Sequence, residues 1–198
     1  MTAVAALESG QAPSRPIGPN ALVVAAYVAG SGLILVTLGL LAGFYNLRQF
    51  ANTWPPNEVE IDEYLSVMLT TTLLLSGAVV AWAANAATLG NRRQALAGLA
   101  MTGGLGLAFL NLAWYTGIHA GFGPASHSFG VIVIAALAVG AASVAAGIGF
   151  LAVALLRAVL RADGAGTGMV GAATRFWYLV IVAWMVSPVA LYGLMSVK

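Results

Sequence analysis

From Gln94 to Leu156 the chain carries no Asp, Glu, Lys or Arg. A span that long without a charge cannot be one helix. A bilayer core of about 30 Å is crossed by about 20 apolar residues, so the stretch holds two crossings and a turn. The turn is Gly121-Phe122-Gly123-Pro124-Ala125-Ser126-His127-Ser128. Gly and Pro punctuate the chain there, and the hydroxyls and His127 suit a wet interface. The stretch therefore predicts a transmembrane helical hairpin. Composition agrees, since charged residues are 7% of this chain against roughly a quarter in soluble domains.

Around the hairpin the remaining apolar runs fall into place. Met1 to Asn20, with Pro13, Pro16 and Pro19, reads as a mobile tail without the charged start and cleavage site of a secretory signal. The predicted spans are 21–45, 64–88, 94–119, 129–156 and 176–197, giving one five-helix transmembrane domain over 21–198. Between the first two, Trp54-Pro55-Pro56 forbids a continuing helix and Glu58, Glu60, Asp62 and Glu63 form an acidic loop. Leu89-Gly90-Asn91-Arg92-Arg93 is tight enough to force an antiparallel return. The Gly-rich run Ala162 to Thr174 reads as a loop, with Arg175 leading into the last span. The fold class is thus all-α and polytopic. Arg15, Arg92, Arg93, Arg157, Arg161 and Arg175 fall on one side, Arg48 and Lys198 on the other. The positive-inside rule then predicts a cytoplasmic N-terminus and an outside C-terminus.

The chemistry available is sparse. With no cysteine there is no disulfide, thiolate metal site or covalent c-type haem. His119 and His127 flank a Gly-Pro turn with no carboxylate or third ligand nearby, which favours interfacial hydrogen bonding over a metal site. With these boundaries no charge lies within a span, which argues against a proton-coupled pump. Thr70, Thr71, Thr72, Ser76, Asn85, Asn111, Ser143 and Ser187 remain, and Ser and Thr in such helices bond back to helix carbonyls or to a neighbouring helix. Ala136, Gly140, Ser143 and Gly147 share one helical face. That stripe admits close approach of another helix, with packing inside this chain the favoured use.

From Trp54-Pro55-Pro56 onward the chain resembles subunit III of the haem–copper oxidases, the cytochrome c and quinol oxidase superfamily. After that loop the family has a helix rich in Leu and Ser ending in Trp-Ala. Here it reads Met68-Leu69-Thr70-Thr71-Thr72-Leu73-Leu74-Leu75-Ser76-Gly77 and ends Ala81-Trp82-Ala83. The family's short polar turn is matched by Gly90-Asn91-Arg92-Arg93-Gln94-Ala95-Leu96, and its last helix by Phe176-Trp177-Tyr178, Trp184 and Tyr192. The first helix fits by position only. Three family runs depart: a Glu before a Tyr in the third helix is Trp114 before Tyr115. A His-Gly-Leu-His-Val run is Gly140-Ala141-Ala142-Ser143-Val144, and Trp-His-Phe-Val-Asp is Trp177-Tyr178-Leu179-Val180-Ile181. Each buried ionisable group is replaced by a neutral one.

The resemblance implies a divergent, non-catalytic accessory subunit in a bacterial cytoplasmic membrane. It would brace haem-bearing subunit I of a respiratory terminal oxidase and hold phospholipid between helices. Haem and copper are then expected in the partner subunits, with none in this chain. Arg92, Arg93, Arg157 and Arg175 are expected at lipid headgroups, and Trp82, Trp177 and Trp184 at lipid or helix contacts. The acidic loop Glu58 to Glu63 offers steering to a basic soluble electron carrier. The competing readings are a same-fold subunit of another redox complex, such as a nitric oxide reductase, or a small standalone transporter using Thr70 to Thr72, Asn85 and Asn111.

Overall fold

The structure, a computed structural model, describes residues 19–51, 63–123, 126–160 and 166–195. Among these, the regular elements are five α-helices: α1 (Pro19–Phe50), α2 (Glu63–Thr88), α3 (Arg92–Ile118), α4 (Ser128–Leu160) and α5 (Gly166–Met195). Each is long and apolar enough to cross a membrane. The acids Glu58, Glu60 and Asp62 and the Trp-Pro-Pro run lie outside the described residues.

Helix ends differ from the sequence expectation where breakers are missing. The first helix runs on to Phe50 instead of Tyr45, because Asn46-Leu47-Arg48-Gln49-Phe50 holds no Gly or Pro. Arg48 in its last turn also complements the helix dipole. The fourth helix continues past Leu156 to Leu160 for the same reason. The largest difference is in α5, which starts at Gly166 and not at Phe176. Glycine alone does not make a loop inside a membrane domain, where its lack of a side chain serves close helix contact. Here Met169, Val170, Ala172 and Ala173 of that Gly-rich run are buried in the bundle, and this packing overrides weak helix propensity.

α2, α3, α4 and α5 form a closed four-helix ring, each packed on the next, and α1 lies outside it against α4 and α5. Although joined in sequence, α1 and α2 have no Cα atoms within 8 Å of each other among the described residues. α5 is the shared wall, touching α1, α2 and α4. One continuous core joins Leu69, Leu73 and Val80 of α2, Leu99 and Phe109 of α3, Val144 and Leu151 of α4, and Trp177, Val180 and Trp184 of α5. A smaller cluster of Phe44, Phe129 and Ile132 ties α1 to α4 at the Glu63 end of the bundle.

The two tight turns have local causes. At the Arg92 end Gly90 has φ +73°, and the Asn91 side chain accepts from the Gln94 amide, capping α3. At the other end Gly121 has φ +71° and Ser126 Oγ accepts from the Gly123 amide at 3.0 Å.

Candidate functional site

The centre of the bundle is built on two tryptophans of α5, seven residues apart. Trp177 is fully buried, and its indole Nε1–H donates to Ser76 Oγ of α2 at 2.9 Å. Trp184 Nε1–H donates to Thr70 Oγ1 of the same helix at 3.2 Å. Both hydroxyls in turn donate within their own helix, Ser76 to the Leu73 carbonyl at 2.6 Å and Thr70 to the Ser66 carbonyl at 2.9 Å. A buried indole N–H without an acceptor is costly in hydrocarbon, so each tryptophan fixes the register of α5 on α2.

The other faces of these rings lie on glycine. A Cβ at Gly147 of α4 would stand 2.8 Å from Trp177 ring atoms, and one at Gly106 of α3 2.8 Å from the same ring. A Cβ at Gly140 would meet the Trp184 ring at 2.5 Å. Phe109 meets Trp184 edge-on, with centroids 4.9 Å apart. The small-residue stripe of the fourth span is therefore used inside the chain, as a seat for the two tryptophans. Of the sequence candidates, Trp177 and Trp184 converge here, while Trp82 is 42% exposed on the outer face of α2. Ser76, Thr70 and Gly106 complete the arrangement. Matching intervals of seven, Gly140 to Gly147 and Trp177 to Trp184, were the signal in the sequence that links them.

At the Arg92 end the arginines part ways. Arg92 donates from Nε to the Ala158 carbonyl at 3.2 Å and from Nη2 to the Val159 carbonyl at 2.7 Å. It thus caps the last turn of α4. Arg93 and Arg157 are exposed.

Arg175 is not at the helix start, as the sequence suggested. It is two residues from Trp177, whose ring lies level with Ser76 and Gly106, the midpoints of α2 and α3. With a rise of about 1.5 Å per residue, Arg175 stands only about 3 Å from that level, whereas Arg92 stands about 20 Å away. It falls inside the span Gly168–Ser187. An arginine at the centre of a span costs roughly 2.5–3.5 kcal/mol on insertion scales. The expectation that no charge lies within a span is corrected accordingly.

The histidines serve the hairpin turn. His119 caps α3, with its ring stacked on Tyr115 at 4.0 Å between centroids and Nδ1 3.0 Å from the Tyr115 carbonyl. His127 Nδ1 accepts from the Gly130 amide at 2.8 Å and so caps α4. Thr70, Thr72, Ser76 and Ser143 each bond back to a carbonyl of their own helix. Between α1, α4 and α5 runs a shallow apolar cleft, lined by Thr37, Leu40, Phe44, Ile132, Val186 and Ser187 among others.

Residues 34–195 match the sequence model of the family described as cytochrome c oxidase subunit III. The chain is 31% identical over 163 residues to a cytochrome c oxidase subunit 3 of Scyliorhinus canicula, covering 78% of this chain and 62% of that one. It is 32% identical to that of Danio rerio with the same coverage. To that of Artemia franciscana it is 34% identical over 140 residues, 70% of this chain and 54% of the relative. The chain thus spans less than two thirds of the length of these relatives. The matched segment holds α2 to α5 with both tryptophans, and on that shared core this five-helix, multi-pass membrane protein belongs to the cytochrome c oxidase subunit III family.

Proposed function

We propose that this chain is a non-catalytic accessory subunit of a bacterial respiratory haem–copper oxidase, bracing the haem-bearing subunit and holding phospholipid. The observation that carries this reading is the family match over residues 34–195, which takes in the whole tryptophan-centred ring. The chemistry supports a bracing role. The ring's midplane is filled by Trp177, Phe109 and Trp184, and the two indole N–H groups are used for helix register.

In this reading the Arg92 end is cytoplasmic and the Glu63 end faces outward, in keeping with the arginine bias. Arg93 and Arg157 are the headgroup contacts, and Trp82 meets lipid on the exposed side of α2. The cleft lined by Leu40, Phe44, Ile132 and Val186 is apolar and takes an acyl chain.

The test is a pull-down of the tagged chain in mild detergent, with a reduced-minus-oxidised visible spectrum and mass spectrometry of what accompanies it. Haem bands with an oxidase subunit I are expected. A colourless preparation, stable without a partner, would overturn the reading.

A further inference from the structure

The deep position of Arg175 sets a requirement that the described residues do not meet. On α5, Tyr178 donates its hydroxyl to the Gly77 carbonyl of α2 at 3.2 Å. Leu179, on the other flank, packs where a Cβ on Gly30 of α1 would stand. With about 100° per residue, Arg175 projects between these two directions, about 60° from Tyr178 and about 40° from Leu179. Val182 shares its heading and is 51% exposed. α1 and α2 both pack on α5 and, among the described residues, not on one another. The gap between them is therefore a groove open to the membrane, with Arg175, Tyr178 and Val182 on its floor.

The guanidinium turns back toward the Arg92 end only as far as Gly171, where Nη1 lies 3.5 Å from a built Cβ. That is still about 7 Å inside the first residue of α5. Among the described residues Arg175 has no acidic partner, although its side chain is exposed. A guanidinium is matched best by a planar bidentate acceptor such as a carboxylate. Among the described residues the one acid is Glu63, which opens α2, so the described part of a second copy has none to give at that depth.

We propose that the groove between α1 and α2 receives a membrane-spanning helix of a different subunit, carrying an Asp or Glu that pairs with the Arg175 guanidinium inside the span, near the level of Gly171. This names a contact surface for the accessory role and rests on that role for its partner. Intramembrane charges are tolerated where they pair in a protein interior, and a single transmembrane helix fits a groove whose walls are two helices sharing one floor.

A photo-reactive p-benzoylphenylalanine in place of Val182, in cells that make the full complex, tests the proposal. The expected adduct is a membrane-spanning peptide that contains Asp or Glu. Arg175→Met should lower its yield about tenfold, the change that losing about 1.4 kcal/mol of pairing produces, while Arg175→Lys, which keeps the charge but not the planar fork, should retain part of it. An adduct to lipid alone, to a second copy, or to a peptide without a carboxylate would overturn the proposal. The wild-type pull-down separates the two claims. Oxidase that co-purifies while Val182 captures only lipid removes the groove and leaves the accessory role. If the preparation is colourless the role falls, and the captured peptide still decides the groove.

Discussion

The indole of Trp177 hydrogen-bonds the hydroxyl of Ser76 across the bundle, joining residues 101 positions apart at 2.9 Å. Hydrogen bonds between membrane helices are worth about 0.6 kcal/mol on average and up to about 1.7 in double-mutant cycles. Because Trp177 is fully buried, its bond should fall in the upper half of that range. Trp177→Phe and Ser76→Ala should each destabilise the chain, and the double variant should lose less than their sum. A cycle of thermal or denaturant unfolding in mild detergent measures the coupling. Strict additivity would mean that the bond contributes nothing.

The glycines beneath the tryptophans should be intolerant of even one methyl group. Alanine at Gly147 or Gly140 places a Cβ 2.8 or 2.5 Å from an indole ring that has no free direction to move. Overpacking of this kind costs typically about 1–3 kcal/mol. Gly104 is the control, since nothing lies within 4 Å of its Cβ position. Gly147→Ala and Gly140→Ala should lower the unfolding midpoint, and Gly104→Ala should leave it unchanged or raise it.

The number of spans and the turns between them were legible because hydrocarbon length and the Gly90 and Gly121 turns are local matters. The seat for Trp177 and Trp184 was half legible. The stripe Ala136, Gly140, Ser143, Gly147 announced a close contact, yet its occupant sits on α5, and Ser76 and Thr70 are more than a hundred residues from their indole partners. No local pattern carries such pairings. Nor does sequence adjacency show that α1 packs on α4 and α5 and leaves α2 untouched. Sequence alone places the start of α5 at Phe176 and not at Gly166, because two local rules agree on the wrong answer: glycines mark loops and arginines mark span ends. Burial of Met169 and Val170 overrides the first, and the level of Trp177 against Gly106 overrides the second.

Arg92 should behave as a cap and not as a global support. Its two bonds go to the Ala158 and Val159 carbonyls in the last turn of α4, and all three groups are at the exposed end of the bundle. Removing them frees one helix end, an effect within about 1 kcal/mol and confined to that turn. Arg92→Ala should speed hydrogen exchange of the amides of residues 157–160 and leave the exchange of residues 143–151 unaltered. Equal acceleration of both segments would show that the cap holds the whole helix.

Trp82 and Trp184 contrast an outward with an inward tryptophan. Trp184 is 9% exposed, hydrogen-bonded to Thr70 and edge-on to Phe109, so Trp184→Ala opens a cavity that two helices must close. Losses of about 3–5 kcal/mol follow from such truncations. Trp82 is 42% exposed and faces away from the core, so Trp82→Ala should alter stability by no more than about 0.5 kcal/mol. Its effect should appear in the phospholipid retained by the purified protein, read by native mass spectrometry. Trp184→Leu, which keeps apolar volume, should recover part of the stability and none of the Thr70 bond. If Trp82→Ala destabilises as much as Trp184→Ala, Trp82 is part of the folded interior and the lipid-facing assignment of that side of α2 is wrong.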